Sequence, residues 1–253
     1  MTVRFVGAGP GAADLITVRG LRVIATSPVC LYAGSLVSPD LLGQCPAEAR
    51  LVDTARMTLD EITAALVEAS AEGLDVARLC SGDPAVFSAV AEQGRRLDAA
   101  GVAWEIVPGV AAFSAAAAAL RTELTVPGVG QSVVLTRDAA NATPMPAGED
   151  LGTWAAAGGT LVLHLAVQRC ASVVEELLVH RAPDEPVAVV ARASQPDEVI
   201  VRGTLADITA KVGAAGIRRT AVIVVGPVVR DRAAGVDDAA LESHLYSASR
   251  ARP

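Results

Sequence analysis

Short apolar runs alternate with segments of helical periodicity along nearly the whole chain. The runs are rich in valine, leucine and isoleucine, which is typical of buried strands. Between two of them, Leu59, Ile62, Leu66 and Ala69 fall on one face of a helix. We predict strands at residues 3–6, 29–32, 50–52, 76–79, 104–107, 132–136, 160–165, 187–190, 199–201 and 221–225. We predict helices near residues 17–25, 59–69, 86–97, 111–120, 167–179 and 205–214.

This alternation predicts an α/β fold built from wound βα units, with two α/β domains on mixed, partly parallel sheets. The N-terminal α/β domain is placed at residues 1–112, the C-terminal α/β domain at 113–230, and a polar C-terminal tail at 231–253. The turn residues 195–197 before the strand at 199–201 indicate an antiparallel hairpin. Residues 138–148, rich in Ala, Pro and Gly, are predicted to form a long mobile loop, and loops of that length are often functional lids.

The composition narrows the class of protein. Hydrophobic residues make up 52% of the 253 residues, which is enough for a full core. The 21 basic and 28 acidic residues leave a net charge of −7, which does not suit non-specific nucleic-acid binding. The four cysteines and three histidines are scattered, so we expect reduced thiols and no metal site. We find no membrane-spanning stretch or signal peptide and expect a cytoplasmic protein.

A glycine-rich loop at residues 7–12, Gly-Ala-Gly-Pro-Gly-Ala, lies between a predicted strand and a predicted helix. This spacing satisfies the dinucleotide fingerprint GxGxxG/A. Two details oppose a dinucleotide: Pro10 has no N–H for a phosphate, and no acidic residue ends the second strand to hold a ribose. Even so, glycine has no Cβ, so a ligand could approach the backbone of this loop closely.

Other polar residues stand at predicted strand ends, where ligands bind in open α/β sheets. Asp83 is equally suited to a ligand contact and to a helix N-cap. Tyr32 and Ser35 could reach the same crevice or make ordinary loop hydrogen bonds. Arg137 could bind a carboxylate bidentately or stand solvated at the strand end. We interpret His164, in an apolar strand, as a core side chain rather than an acid or base.

Taken in order, these segments resemble the tetrapyrrole methyltransferases, the class III fold of S-adenosylmethionine enzymes. The resemblance runs from about residue 2 to residue 228. Each motif alone is weak evidence for the family, but the whole series in this order is strong evidence. Within the family, the segments 31–37, 52–55, 124–127 and 194–198 are most similar to members that methylate precorrin-4 at C11 in cobalamin biosynthesis. The matching motifs are residues 6–20, Ser81-Gly82-Asp83-Pro84, Val107-Pro108-Gly109-Val110, Leu124-Thr125, residues 131–137 and Arg218-Arg219-Thr220-Ala221.

The resemblance implies C-methylation of a corrin-pathway tetrapyrrole by S-adenosylmethionine, which would be held in a cleft between the two domains, with S-adenosylhomocysteine as product. It also implies a homodimer. Tyr32, Ser35 and Arg137 are our candidates for binding the substrate, and no catalytic residue is assigned. The residues that the family pattern places against the methyl donor are Pro10, Gly82, Asp83, Val86, Phe87, Ala111, Ala112, Leu165, Ala191 and Ala221.

The chain departs from the family at four positions near the expected cleft. Cys80 replaces a frequent His, Phe87 and Ala191 each replace a Tyr, and Gln195 replaces a Trp. These changes bear on substrate fit more than on reaction class. Three alternatives therefore stay open: methylation at another precorrin position or of uroporphyrinogen III, a non-catalytic corrinoid-binding protein, and a dinucleotide-dependent oxidoreductase.

Overall fold

The computed structural model describes residues 1–139 and 143–230, apart from the side chain of Ser35. The tail predicted at 231–253 lies outside the described residues. The chain divides into two compact units, Met1–Ala115 and a second that begins at Ala116. We call them the parallel-sheet unit and the mixed-sheet unit. The domain limits 1–112 and 113–230 stay a prediction.

The parallel-sheet unit contains five strands in the order β3-β2-β4-β1-β5, and every pairing between them is parallel. All five therefore end at the same edge of the sheet. The strands are β1 (Thr2–Gly7), β2 (Val29–Tyr32), β3 (Arg50–Asp53), β4 (Val76–Cys80) and β5 (Ala103–Val107). The helices are α1 (Val18–Thr26), α2 (Pro39–Leu42), α3 (Leu59–Ala71), α4 (Val90–Ala99) and the start of α5 (Ala112–Leu120).

The mixed-sheet unit also has five strands, in the order β6-β7-β10-β8-β9. β6 and β7 are parallel, whereas β10 runs antiparallel to β7 and β8, and β9 antiparallel to β8. The predicted hairpin is therefore confirmed. The strands are β6 (Val133–Arg137), β7 (Thr160–His164), β8 (Pro186–Ala191), β9 (Val199–Thr204) and β10 (Ala221–Val225), and the helices are α6 (Leu151–Ala157), α7 (Cys170–Leu178) and α8 (Ile208–Ala214).

Local sequence explains where several helices begin. The Thr17 side chain accepts a hydrogen bond from the Gly20 N–H at the start of α1. Thr58 and Glu61 form a reciprocal capping box before α3, which satisfies backbone donors that the first helical turn leaves open. Ile62, Leu66 and Ala69 of α3 are then buried, as the 3.6-residue spacing predicts.

Each sheet is covered by apolar side chains that form separate clusters. In the parallel-sheet unit, Phe5 and Leu66 are fully buried on one face, and Ile24 and Leu79 on the other. In the mixed-sheet unit, the main cluster combines strand residues with helix residues such as Leu177. Burying a side chain of this size stabilises the fold by about 1.5–3 kcal/mol.

The ten strands and the α/β class are confirmed, with one sheet wholly parallel where we expected mixed sheets in both units. The helix predicted to begin near residue 86 begins at Val90, because Phe87 and Ala89 adopt left-handed backbone conformations that interrupt a helix. The short helices α2 and α6 were not predicted. None of the helices in the described ranges is long and apolar enough to cross a membrane.

Candidate functional site

At the carboxyl edge of the parallel sheet, the loops after β1 and β4 pair with each other. The Gly9 N–H donates to the Gly82 carbonyl at 3.2 Å, and the Gly82 N–H donates to the Gly9 carbonyl at 2.8 Å. The Ala8 N–H is also used, by the Cys80 carbonyl. Because Pro10 has no N–H, three consecutive residues of the glycine loop have no N–H to offer a phosphate. This geometry opposes the dinucleotide alternative.

Three glycines at this edge pack backbone against backbone. A Cβ on Gly7 would lie 2.5 Å from the Gly109 nitrogen and 2.8 Å from the Gly82 carbonyl oxygen. A Cβ on Gly109 would lie 2.6 Å from the Gly7 Cα. Real Cβ atoms do not make such contacts, so the approach of the three loops requires glycine. The sequence showed these glycines as turn signals but not that they touch.

Asp83 ties two of these loops together. Its Oδ2 accepts a hydrogen bond from the Gly109 N–H at 2.8 Å, and its Oδ1 accepts one from the Ala85 N–H at 2.7 Å. Asp83 thus stabilises the turn after β4 and holds the Pro-Gly turn after β5 against it. It does not cap α4, which begins seven residues later at Val90.

The other donor-binding residues predicted in this unit lie beside the paired loops. Gly82 approaches the start of α5 closely: a Cβ on it would lie 3.4 Å from the Ala112 nitrogen and 3.7 Å from the Ala111 Cα. The Val86 N–H donates to the Asp83 carbonyl. Phe87 is 47% exposed and left-handed at φ 52°, an unusual state for a large apolar residue.

Of the substrate-binding candidates in this unit, Tyr32 ends β2 and is half-buried against the cluster around Val6 and Ile24. Its carbonyl accepts hydrogen bonds from the N–H and the hydroxyl of Thr54, at 2.8 and 2.9 Å. Ser35 lies in a helical turn, Gly34–Leu36, and its side chain is outside the described part of the structure. Tyr32 therefore lies at the same sheet edge as the glycine loops.

In the mixed-sheet unit, the remaining candidates lie at one edge of the sheet. Since β6, β7 and β8 run in the same direction, their carboxyl ends share an edge with the amino end of β10. Ala191 is paired with Ala221, and Arg137 with His164. Leu165 follows β7 directly. The register thus brings together Arg137, Leu165, Ala191 and Ala221, which lie far apart in sequence.

This edge concentrates left-handed residues that are not glycine. Leu165 has φ 54° and is 66% exposed, although it is large and apolar. Arg192 and Thr220, which flank Ala191 and Ala221, have φ 50° and 54° and share a hydrogen bond of 2.8 Å. Such conformations cost on the order of 1–3 kcal/mol each and cluster at functional sites.

Arg137 is half-buried at the end of β6. Its Nη2 donates to the Thr143 carbonyl at 2.6 Å and its Nη1 to the Asp138 carbonyl at 3.4 Å. Because a guanidinium has five N–H donors, others can still bind a carboxylate. Burial lowers the pKa of the neighbouring His164 imidazole below its usual value, which favours the neutral ring.

The four departures from the family pattern fall in different environments. Cys80 and Ala191 are buried, and burial raises the pKa of the Cys80 thiol to about 11. Phe87 is exposed and Gln195 half-buried, so these two side chains can alter a binding surface. Within residues 1–139 and 143–230, no three His, Cys, Asp or Glu side chains are grouped to hold a metal ion.

Sequence reasoning missed one buried group beneath the parallel-sheet edge. Arg78 lies in the middle of β4 and is 7% exposed, with hydrogen bonds to the side chains of Thr54 and Gln93. The available signal was a charged residue inside an apolar run, Val76–Cys80.

The protein has two β-sheets flanked by helices, with glycines and exposed apolar side chains at the strand ends. These features are typical of α/β proteins that bind small molecules. Comparison with known proteins specifies the family. Residues 2–209 match the family model described as Tetrapyrrole (Corrin/Porphyrin) Methylases. The chain belongs to this family.

Individual relatives are similar over nearly the full length. A precorrin-4 C(11)-methyltransferase of Rhodococcus erythropolis is 60% identical over 252 residues, covering 100% of this chain and 99% of the relative. The solved structure of a cobalt precorrin-4 methyltransferase, a cobalamin biosynthetic enzyme, is 40% identical with a TM-score of 0.87, covering 91% of this chain and 96% of that one. A uroporphyrin-III C-methyl transferase of Thermus thermophilus, solved in complex with S-adenosylhomocysteine, is 31% identical with a TM-score of 0.77, covering 91% and 99%.

Proposed function

We propose that this protein is an S-adenosylmethionine-dependent methyltransferase that methylates C11 of precorrin-4 in cobalamin biosynthesis. The observation that carries the proposal is the 60% identity, over 100% of this chain and 99% of the relative, to a protein named for that reaction. The cobalt precorrin-4 methyltransferase is less similar, at 40% identity. We therefore take the cobalt-free tetrapyrrole as substrate.

The residues at both sheet edges fit a nucleoside donor. Gly82 is buried, and the small residues Ala111 and Ala112 at the start of α5 lie close beside it. Phe87 and Leu165 keep apolar side chains exposed in strained conformations, as expected of surfaces that a bound ligand covers. We assign donor binding to Pro10, Gly82, Asp83, Val86, Phe87, Ala111, Ala112, Leu165, Ala191 and Ala221.

Methyl transfer from a sulfonium does not require a strongly activated side chain. When bound, S-adenosylmethionine supplies a methyl group on an electrophilic sulfonium, and an electron-rich carbon of the macrocycle is the nucleophile. Asp83 holds the loops in place, and Phe87 and Leu165 exclude water. The carboxylate-bearing macrocycle is bound by Tyr32, Ser35 and Arg137. Holding two reactants aligned can contribute about 7–11 kcal/mol to lowering the barrier.

Calorimetry with S-adenosylhomocysteine tests the donor site. We expect micromolar binding to the wild type and a loss of at least about 10-fold in Asp83→Ala, which leaves the N–H groups of Ala85 and Gly109 without their acceptor. Glu68→Ala, at an exposed position of α3, is the control and should bind like the wild type. Equal affinity in Asp83→Ala would remove Asp83 from the site.

A methylation assay tests the substrate. Purified protein is incubated with S-adenosylmethionine and, separately, with precorrin-4, cobalt-precorrin-4, other precorrins and uroporphyrinogen III. We expect a mass gain of one methyl group with precorrin-4, and magnetic resonance of a labelled methyl should place it at C11. Preferential turnover of another tetrapyrrole would overturn the proposed substrate. Tetrapyrrole binding without release of S-adenosylhomocysteine would favour a non-catalytic binding protein, and tight NADPH binding an oxidoreductase.

Two further properties belong to the same proposal: a homodimer, which light scattering of the purified protein tests, and a cytoplasmic location, which cell fractionation tests.

A further inference from the structure

Arg78 is a buried charge with neutral partners. Its side chain lies in β4, the central strand of the parallel sheet, and the residue is 7% exposed. Its Nε donates to Gln93 Oε1 at 3.3 Å, and its Nη1 donates to Thr54 Oγ1 at 3.1 Å and to the Leu79 carbonyl at 3.4 Å. No carboxylate among residues 1–139 and 143–230 forms an ion pair with it.

This arrangement is costly. Buried charges in proteins are usually paired, because removing an ion from water is unfavourable. Burial also lowers the pKa of the Arg78 guanidinium from its ordinary value. An apolar residue would fill the middle of a buried strand without that cost. We therefore expect the guanidinium to have a role that an apolar side chain could not perform.

The partners of Arg78 extend in two directions. Thr54 is 5% exposed, and its hydroxyl donates to the Tyr32 carbonyl at 2.9 Å. Gln93 is 2% exposed, and its Nε2 donates to the Ala89 carbonyl at 3.1 Å. A continuous network, buried at Thr54, Arg78 and Gln93, therefore runs from the Tyr32 carbonyl to the Ala89 carbonyl.

Each end of the network holds a segment of the candidate site. Tyr32 begins the segment Tyr32–Val37, which contains the two substrate-binding candidates of this unit. Ala89 is left-handed at φ 52° and separates Phe87, a donor-binding candidate, from α4. A planar guanidinium with donors on two sides can hold both segments at once, whereas the single ammonium of a lysine is a point charge.

We propose that Arg78 is a positioning residue, which through Thr54 fixes the substrate segment Tyr32–Val37 and through Gln93 fixes the donor turn at Ala89. It touches neither substrate nor donor. The inference rests on the proposed methyltransferase function for its kinetic consequences, but the network itself is testable in the unliganded protein.

The kinetic test uses substitutions at the two arms. Thr54→Val removes the hydroxyl and keeps the shape; we expect the KM for precorrin-4 to rise about 10-fold while the Kd for S-adenosylhomocysteine changes less than twofold. Gln93→Leu should show the reverse, a Kd about 10-fold higher with the KM nearly unchanged. Arg78→Lys should raise both, because one ammonium cannot serve both arms.

Matched variants separate positioning from stability. Thr54→Ser keeps a hydroxyl and should restore the KM. Thr63→Val removes another buried threonine hydroxyl, which donates to the Leu59 carbonyl within α3, and should leave KM and Kd unchanged. Thermal unfolding is measured for every variant. If Thr54→Val lowers the unfolding temperature but leaves the KM unchanged, or shifts KM and Kd equally, the proposal is overturned.

Amide hydrogen exchange makes the test independent of activity. In the unliganded protein, the N–H of Thr54, bonded to the Tyr32 carbonyl, and those of Leu36 and Val37, bonded within their turn, report on the substrate segment. We expect about 10-fold faster exchange in Thr54→Val than in Thr54→Ser or Thr63→Val. Unchanged exchange would overturn the network, whereas a wild type that methylates no tetrapyrrole would overturn the proposed function and leave this result standing.

Discussion

The two sheets form their candidate binding edges by different means. At the edge of the parallel sheet, the loops meet through glycines: Gly7 and Gly109 approach so closely that a Cβ on either would overlap backbone atoms. At the edge of the mixed sheet, left-handed positions are occupied by residues with side chains, among them Leu165 and Thr220. The parallel-sheet unit has such residues too, Phe87 and Ala89, but only beyond the paired loops.

The difference separates two requirements. Where the backbone itself must approach another backbone, glycine is required for space. Where a side chain must be presented to a ligand, the chain tolerates backbone strain instead, as at Leu165. A glycine there would relieve the strain, but it would remove the apolar side chain that the ligand contacts. We therefore expect substitution of the packed glycines at the first edge to damage folding, and substitution of the exposed left-handed residues at the second edge to damage binding.

The strongest test of this comparison is Gly109→Ala. The added methyl group would lie 2.6 Å from the Gly7 Cα, and backbone cannot move aside as a flexible side chain can. We expect a loss of about 3 kcal/mol or more in the free energy of unfolding, or no folded protein, measured by urea denaturation.

Gly213→Ala is the matched control, because Gly213 lies inside α8 with nothing within 4 Å of its added Cβ. It should stabilise the protein by about 0.5–1 kcal/mol, the difference in helix propensity. If both variants had the stability of the wild type, the close packing of the glycine loops would not matter for folding.

The second prediction concerns Leu165→Asn. Asparagine tolerates the left-handed conformation better than leucine, and the leucine side chain is 66% exposed, so little buried area is lost. We expect stability equal to the wild type or higher by up to about 1 kcal/mol. The Kd for S-adenosylhomocysteine, measured by calorimetry, should nevertheless rise about 10-fold.

Arg121→Asn controls for the backbone effect alone. Arg121 has φ 53°, almost the value of Leu165, but is exposed and is not among the site candidates. It should gain similar stability with no change in the Kd. A Leu165→Asn variant that loses stability and keeps its affinity would reverse our interpretation of the mixed-sheet edge.

The same contrast explains how far the sequence could be interpreted. Apolar runs predicted all ten strands, and β2 and β10 have the predicted bounds, because strand burial leaves a strong local pattern. The helix expected from Val86 failed because left-handed residues at 87 and 89 leave no such pattern. The short helix α2, Pro39–Leu42, carries too few turns for a periodicity to be visible.

For the candidate site, strand ends located the residues but not their partners. Asp83 was recognised as a ligand contact or a cap, yet its bond to Gly109 joins residues 26 positions apart, which only the fold brings together. The Arg78 network depends in the same way on three separate elements meeting under one sheet edge. Donor-binding assignments came from the resemblance to the family and stay predictions.

The smallest expected effect concerns Cys80, whose carbonyl accepts the Ala8 N–H directly beneath the glycine loops. Burial raises its thiol pKa from about 9.0 to about 11, so above pH 9 the unfolded chain releases a proton that the folded chain keeps. This group therefore stabilises the fold fully below pH 9, and its contribution is lost as the pH rises towards 11. We expect wild-type protein to lose about 1 kcal/mol more than Cys80→Ala between pH 8 and pH 10, measured by urea denaturation. The cavity left by the alanine costs the same at both pH values, so it cancels from the difference. If the free energy of unfolding of the two proteins fell in parallel with pH, the thiol beneath this edge would be in contact with solvent.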